Sequence, residues 1–220
     1  MGVNREAYIA IKEELDGAAV TLVAVSKIKT VADIKELYDA GQRDFGENYV
    51  QELVEKQPQL PADIHWHFIG HLQSNKVKYL APFIYMIQGV DSLKLLREIN
   101  KQGEKNNRTI KCLLQIHIAQ EETKFGMDAD ELALAMSATN DLKNVQVCGL
   151  MGMASFSEDN EVVRSEFQTL KRLAEKYTDQ FAGAPHRPII SMGMSGDYKL
   201  AMEEGSNMVR IGSLLFGRRS

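Results

Sequence analysis

A lysine at the end of an apolar run is the first residue in this chain whose position suggests chemistry. Lys27 directly follows residues 21–26, which have the apolar, β-rich character of a buried strand. Partial desolvation of an amine at the mouth of such a strand favours its neutral, nucleophilic form. A solvated loop lysine fits the same position, and Lys29 lies close enough to compete. Position alone therefore leaves both interpretations of Lys27 open.

Two glycine-rich stretches near the C-terminus have the composition of anion-binding loops. Residues 191–197 and 210–213 each place glycines and serines between a predicted strand and the start of a helix. Backbone N–H groups and hydroxyls in such loops can surround a phosphate, although tight turns and helix caps would use the same residues. Because the phosphate site of a (β/α)8 barrel follows its last two strands, the pair of loops indicates a phosphate cradle.

Three further polar residues are predicted to lie at strand ends. Arg210 ends the last predicted strand, and beside a phosphate ligand with a pyridine ring it would disfavour protonation of the ring nitrogen by charge repulsion. A structural role for this arginine is the alternative. Asn48 follows the second strand and either bonds a ligand ring or caps a helix. His71 lies past the third strand, where it can reach the cleft.

Other residue types that often carry chemistry are interpreted here as structural. His65, His67 and His71 suggest a metal site, but no carboxylate or cysteine of suitable spacing accompanies them, so no metal is predicted. Cys112 and Cys148 are far apart in apolar runs, which predicts buried thiols in a reducing compartment. The methionines at positions 151, 153, 192 and 194 are predicted to fill the core.

The elements that must position these residues alternate between short strands and helices. The strands are predicted at residues 21–26, 44–46, 65–69, 85–90, 109–118, 145–151, 189–192 and 208–211. The helices between them are predicted at residues 31–40, 49–56, 75–80, 93–102, 129–139, 162–177 and 197–203, with a leading helix at 4–16 and a short one from Ser213. Residues 103–108 and 155–160 are predicted as loops.

This alternation predicts an α/β fold, a single (β/α)8 TIM barrel over residues 1–220 with an extra N-terminal helix. An open doubly wound sheet is the alternative, but the first strand lacks the glycine-rich turn of that class. The net charge of −4 argues against nucleic acid as a partner. Without an apolar run of membrane-spanning length or a leader-like N-terminus, the chain is expected to be cytoplasmic and not bound to a membrane.

Five motifs in the chain are together highly specific. They are residues 25–27 (VSK), 45–52 (FGENYVQE), 66–76 (WHFIGHLQSNK), 191–195 (SMGMS) and 205–212 (GSNMVRIG). Over nearly its whole length the chain resembles the pyridoxal phosphate homeostasis protein family, whose fold is the alanine racemase N-terminal barrel.

The resemblance implies that the cofactor is pyridoxal 5'-phosphate (PLP), attached to Lys27 as a Schiff base. It further implies that Arg210 faces the pyridine nitrogen, that the phosphate is held by Ser191, Gly212 and Ser213, and that the other binding residues are Asn48, His71 and Met192. Three positions depart from the family pattern. Phe125 replaces a serine in residues 123–126, His117 stands where relatives usually have asparagine, and Thr30 where many have proline.

Members of this family are thought to bind PLP and to buffer or deliver it in vitamin B6 homeostasis, without an established turnover. PLP-dependent apoenzymes are the expected recipients, and the chain is expected to be a monomer or weak dimer. The alternative is a PLP-dependent amino-acid racemase or lyase, with Tyr49 or His71 as the partner of Lys27. Alanine racemase takes that partner tyrosine from a second domain with no counterpart in these 220 residues, which favours the non-catalytic function. A barrel isomerase or aldolase acting on a phosphorylated sugar also remains open.

Overall fold

The strands of this protein close into a barrel. The computed structural model describes residues 2–121, 124–181 and 187–217. Within these ranges eight parallel strands pair in chain order, and β8 pairs with β1. They are β1 (Thr21–Val25), β2 (Asp44–Glu47), β3 (His65–Phe68), β4 (Met86–Val90), β5 (Ile110–Ile116), β6 (Val145–Gly152), β7 (Ile189–Ser191) and β8 (Met208–Ile211). The predicted (β/α)8 fold is confirmed.

Helices surround the barrel, and a leading helix precedes it. They are α1 (Arg5–Gly17), α2 (Val31–Asp39), α3 (Val50–Lys56), α4 (Val77–Leu80), α5 (Leu93–Lys105), α6 (Ala129–Ala138), α7 (Asn160–Lys176), α8 (Tyr198–Glu203) and α9 (Ser213–Phe216). Helix α1 is the predicted extra element. Its N-cap residue Asn4 accepts from Ala7 N through its side chain and donates from its own N–H to Leu215 O (2.7 Å), which ties α1 to α9.

The register of the strands decides which side chains enter the barrel. Val25 pairs with Gly46, Gly46 with His67, and Val23 with Arg210, and residues paired in this way share one face of a parallel sheet. That face is the barrel interior, where a separate apolar cluster is formed by Val23, Met86, Leu113, Cys148, Met151 and Met208. Residues next in sequence to interior-facing ones, such as Phe45 before Gly46 and Phe68 after His67, belong instead to the larger core beneath the helices.

Two predicted boundaries were wrong for identifiable reasons. Residue Gly103 was predicted to open a loop, but it lies inside α5, where a Cβ atom would be 2.7 Å from Asn144 O. The glycine therefore permits a close backbone approach and does not end the helix. Helix α4 begins at Val77, because Ser74–Lys76 form a 3₁₀ turn.

Several smaller features follow from local chemistry. Thr30 caps α2 through a reciprocal pair of bonds with Asp33, in which Thr30 also donates its backbone N–H (3.0 Å), a bond that proline cannot make. Cys112 and Cys148 are buried free thiols, as predicted, and burial raises the pKa of both. No helix in the described ranges has both the length and the apolar character required to cross a bilayer.

Candidate functional site

A cavity of 310 Å³ opens at the carboxyl end of the barrel strands. Barrel enzymes carry their active sites at this end, because loops from several strands converge there. The cavity is lined by Val25, Lys27, Ile28, Lys29, Asn48, Ile69, Met153, Met194, Ser195, Gly196, Arg210, Gly212, Ser213 and Gly217. The binding residues predicted from sequence that line it are Lys27, Asn48, Arg210, Gly212 and Ser213. The structure does not bring His71, Ser191 and Met192 to this cavity.

The backbone on both sides of Lys27 is held by a polar cluster. Ser26 O accepts a hydrogen bond from Lys56 Nζ (2.8 Å), and Ile28 N donates to Glu52 Oε1 (2.5 Å). Ile28 has a φ of 60°, a left-handed conformation that is unusual for a β-branched residue and costs about 1–3 kcal/mol. These bonds hold the strained turn and thereby position Lys27 at the rim of the barrel.

The ammonium group of Lys56 lies at the centre of this cluster and is compensated by two carboxylates. Lys56 Nζ is 2.8 Å from Glu47 Oε1 and 2.5 Å from Glu52 Oε1, and Ser26 Oγ donates to Glu47 Oε1 (2.7 Å). Glu47 is fully buried, and burial raises its pKa against the lowering effects of Lys56 and Ser26. The cluster therefore pairs one buried cation with two carboxylates beneath the Lys27 turn and supports it.

Asn48 contributes an acceptor to the wall of the cavity. Its Oδ1 atom is buried and has no hydrogen-bond partner within the described part of the chain. Buried polar atoms are paired in the great majority of cases, so an unpaired amide oxygen at a cavity wall is a ready partner for a donor on a ligand or for a water molecule. The Asn48 side chain does not cap α3, so of the two roles that the sequence suggested, the helix cap is wrong and the contact with a ligand ring stays a prediction.

The two glycine-rich loops meet in the lining of the same cavity. Gly193 has a φ of 95°, and a Cβ atom there would be 2.6 Å from Ala201 Cβ, so only glycine makes this turn without strain. Beyond the turn, Ser195 reaches the second loop, where Gly212 N donates to Ser195 Oγ (3.3 Å). Together with Ser213, these residues present hydroxyls and backbone N–H groups to one part of the cavity.

Arg210 is a nearly buried cation held by neutral oxygens. Its Nη1 donates to Ser191 O (2.8 Å) and Ser191 Oγ (2.7 Å), and its Nη2 donates to Gly152 O (3.0 Å). None of the described carboxylates forms an ion pair with it. Burial lowers the pKa of Arg210 to about 10, with the charge of Asp197 acting in the opposite direction. A guanidinium carries five N–H donors, so two remain for the cavity that Arg210 lines.

Ser191 and Met192 lie behind the cavity because of strand geometry. Both are fully buried at the end of β7, where successive side chains point to opposite faces. Ser191 enters the barrel interior and bonds Arg210 and Gln88, while Met192 packs into the core beneath the helices. The chain reaches the cavity only after the Gly193 turn.

His71 is placed on the neighbouring surface. Its Nδ1 is 2.8 Å from Asp91 Oδ2, and its ring stacks on Phe125 with the centroids 4.0 Å apart. It borders an adjacent cavity that Asn48 also lines. His71 is therefore close to the predicted site but separate from the wall that contains Lys27.

His65 and His67 share a carboxylate that sequence spacing did not reveal. Asp44 Oδ1 lies 3.2 Å from His65 Nδ1 and 2.9 Å from His67 Nε2, because β2 and β3 are adjacent in the barrel. Burial alone would raise the pKa of Asp44, but the hydrogen bonds and charges of both histidines outweigh it and lower the pKa. The described residues include no cluster of three or more side chains suited to a metal ion.

The positions that depart from the family pattern lie outside the Lys27 cavity. His117 Nε2 lies 2.9 Å from the carbonyl oxygen of Glu121, and Phe125 is the residue on which His71 stacks. Lys124 lines a neighbouring cavity that shares Met194, Ser195 and Gly196 with the Lys27 cavity. Thr123, the first residue of that segment, lies outside the described residues.

The apolar walls of the cavity include residues that the sequence analysis assigned to the core or did not single out. Met151 and Met192 are fully buried as predicted, whereas Met153 and Met194 line the cavity, and Met194 is 40% exposed. Ile69, which ends the predicted third strand, also lines it. For Met153 and Ile69 the signal was available, because each immediately follows a strand at the functional end of the barrel.

Comparison with known proteins assigns the chain to a family. The profile described as "Alanine racemase, N-terminal domain" matches residues 6–220. The pyridoxal phosphate homeostasis protein of Aquifex aeolicus is 41% identical over 200 residues, covering 90% of this chain and 86% of that protein.

Solved structures of PipY from Synechococcus elongatus PCC7942 are similar over nearly the whole fold. The structure without PLP has a TM-score of 0.89 and 34% identity, covering 96% of this chain and 99% of that one. The structure with PLP bound has a TM-score of 0.87 at the same identity and coverage. Sequence and fold agree, and this chain belongs to the pyridoxal phosphate homeostasis protein family, built on the alanine racemase N-terminal domain.

Proposed function

We propose that this protein binds PLP in the Lys27 cavity and carries or buffers it as part of PLP homeostasis. One observation carries the proposal. A lysine amine, a buried arginine and two serine- and glycine-containing loops line the same 310 Å³ cavity, a volume within the ~300–1,000 Å³ typical of small-molecule sites.

The chemistry of the lining residues fits this cofactor. Val25, Ile69 and Met153 offer apolar surface to an aromatic ring, and the unpaired Oδ1 of Asn48 offers an acceptor to a ring hydroxyl. The residues that present hydroxyls and N–H groups, such as Ser195 and Gly212, suit a phosphate. The cavity thus contains a partner for each polar part of PLP.

The proposal gives each residue a task. PLP supplies an aldehyde that condenses with amines and a ring that withdraws electrons. Lys27 would provide the amine for a Schiff-base linkage, with release of water, and Ser195, Gly212 and Ser213 would bind the phosphate, with Ser191 acting behind them on Arg210. Arg210 would donate toward the ring nitrogen and disfavour its protonation, because two cations at hydrogen-bond distance repel each other. An unprotonated ring is a weaker electron sink, which suits storage better than turnover.

The same arrangement favours a carrier over a racemase or lyase. Tyr49 and His71, the candidate acid/base partners of Lys27, are both absent from the described lining of the cavity, and Tyr49 is 56% exposed to solvent.

We extend the proposal to delivery of PLP to apoenzymes by a monomer or weak dimer. The names of the relatives and the PLP-bound structure of PipY support the binding function.

The test is a visible absorption spectrum of the purified protein with added PLP, before and after borohydride reduction, followed by peptide mass mapping. We expect a Schiff-base band and a reduced adduct on Lys27. Lys27→Ala should remove the band and retain weak, noncovalent binding through the phosphate loops. Lys29→Ala is the matched control, since Lys29 lines the same cavity while its Nζ donates to Phe216 O (2.9 Å).

Each outcome has a distinct meaning. An adduct on Lys29 would move the covalent site by two residues. No band at any PLP concentration would overturn the proposal and favour a sugar-phosphate isomerase or aldolase. Rapid turnover of amino acids by the loaded protein would favour the racemase or lyase alternative.

A further inference from the structure

A chain of side-chain hydrogen bonds runs through the barrel interior from one end to the other. Asp44 Oδ1 is 2.9 Å from His67 Nε2, and His67 Nδ1 is 2.9 Å from Gln88 Nε2. Gln88 Oε1 is 2.7 Å from Ser191 Oγ, which is in turn 2.7 Å from Arg210 Nη1. Four consecutive bonds thus connect the amino end of the strands to the cavity.

The middle of this chain is isolated from solvent. His67, Gln88 and Ser191 are fully buried, and Arg210 is 4% exposed. Buried polar groups cannot exchange a lost partner for bulk water, so each bond constrains the next. At the amino end, by contrast, the chain reaches a cavity of 350 Å³ whose lining includes Asp44, half-exposed His65 and Lys111.

The donors and acceptors along the chain follow one consistent order. The Asp44 carboxylate can only accept, so it accepts from His67 Nε2, and His67 Nδ1 accepts from the Gln88 amide nitrogen that faces it. The Gln88 carbonyl oxygen then faces Ser191 and accepts from its hydroxyl. The lone pairs of that hydroxyl are thereby directed to Arg210, which donates to them.

We infer that His67, Gln88 and Ser191 are positioning residues that fix the orientation of the Arg210 guanidinium toward the cavity. The effect of this positioning on PLP rests on the proposed function, in which Arg210 is the residue assigned to the ring nitrogen. Ser191 takes both Nη1 protons, one on its hydroxyl and one on its carbonyl, so the remaining donors are presented in one direction. The bond to Gln88 Oε1 fixes the direction of the Ser191 hydroxyl. Without that bond the hydroxyl could rotate, and the orientation of the Arg210 guanidinium would be less constrained.

Gln88→Met tests the inference because it interrupts the chain at a residue that does not contact Arg210 directly. The matched control is Gln115→Met, a second buried glutamine on the neighbouring strand, whose Nε2 donates to Phe125 O (2.8 Å) outside the chain. For Gln88→Met we expect about 5- to 50-fold weaker PLP binding, the equivalent of one buried hydrogen bond, and a shifted absorption maximum of bound PLP. Gln115→Met should retain the wild-type maximum.

A second readout does not depend on PLP. In nitrogen NMR spectra of the ligand-free protein, His67 should be protonated at Nε2, and the Arg210 guanidinium signals should move in Gln88→Met but not in Gln115→Met. Ser191→Ala is a smaller change and replaces Gln88→Met if that variant does not fold. It should alter the His67 ring signals, because Ser191 and His67 bond the two ends of the same Gln88 amide.

These measurements separate two kinds of failure. Arg210 signals unchanged in Gln88→Met and His67 signals unchanged in Ser191→Ala would overturn the positioning role even if PLP binds. A wild-type protein that shows the coupled NMR shifts but no PLP band would keep the hydrogen-bonded chain and reject the proposed function.

Discussion

Two buried cations near the carboxyl end of the barrel are stabilised in opposite ways. Lys56 lies among two carboxylates and a carbonyl oxygen, beneath the turn that contains Lys27. Arg210 is bound by a hydroxyl and two carbonyl oxygens, without an ion pair to any carboxylate in the described ranges. The two side chains are similarly buried, but only the charge of Lys56 is paired with carboxylates.

The different partners of Lys56 and Arg210 indicate different roles for the two cations. A buried charge that is paired within the protein has little left to offer a ligand, and removing its partner leaves the other charge exposed to the low-dielectric interior. A buried cation with neutral partners and spare donors keeps its charge available to the cavity, and some stability is lost as a result. Lys56 accordingly supports the turn that contains Lys27, whereas the Arg210 charge is presented to the cavity that Arg210 lines.

The largest expected effect comes from removing the cation of the Lys56 cluster. Lys56→Met leaves Glu47 buried without its cation and should lower the free energy of unfolding by about 3–5 kcal/mol. Urea denaturation at neutral pH measures the loss. The exposed pair between Lys12 and Asp16 provides the control, since Lys12→Met should change stability by less than ~1 kcal/mol. Equal losses in the two variants would contradict the role of Lys56.

Arg210→Met should have a smaller effect on stability. The substitution leaves no carboxylate unpaired, but Ser191 and Gly152 lose a donor, which predicts a loss of about 1–3 kcal/mol. The same urea experiment, run without PLP, makes the comparison direct. A loss as large as that of Lys56→Met would mean that Arg210 has a structural role comparable to the cluster.

The smallest effect is on the pH dependence of stability, and its sign should differ between the two ends of the barrel. The pKa of Glu47 is raised, so its contribution is present below the ordinary value of 4.5 and lost as pH rises through the folded-state pKa. The pKa of Asp44 is lowered, so its contribution is present above 3.8 and lost as pH falls through its folded-state pKa. Each effect is worth roughly 1.4 kcal/mol per pH unit between the folded and unfolded pKa values.

Unfolding free energies across an acid to neutral pH series, for wild type, Glu47→Gln and Asp44→Asn, test this pair of signs. The advantage of wild type over Glu47→Gln should shrink as pH rises above 4.5, and its advantage over Asp44→Asn should shrink as pH falls below 3.8. Parallel curves would show that neither carboxyl group titrates differently in the folded state.

Much of the fold was predictable because it depends on local patterns. Strands of apolar residues and helices with an apolar face recur along the chain, and the eight strands were found within one or two residues at most boundaries. The errors at Gly103 and at the start of α4 arose where a tertiary contact or a 3₁₀ turn, and not local preference, set the boundary.

The site was predictable only in part. Lys27, Asn48 and Arg210 follow or end strands, and the barrel architecture brings all strand ends together, so position in sequence was sufficient to place them in one cavity. The two serines of the first loop could not be distinguished in this way. Ser195 lines the cavity and Ser191 lies behind it because the Gly193 turn intervenes, and this depends on packing against Ala201.

The sequence by itself determined the order of strands and helices, the identity of the family, and the residues at the functional end of the barrel. Only the tertiary structure decided which polar residues meet. Asp44 reaches two histidines of the next strand, Glu47 pairs with Lys56, and Gln88 connects His67 with Ser191 across the barrel interior. Such pairings depend on barrel closure and strand register, which bring together residues far apart in sequence, and no local pattern records which of them will touch.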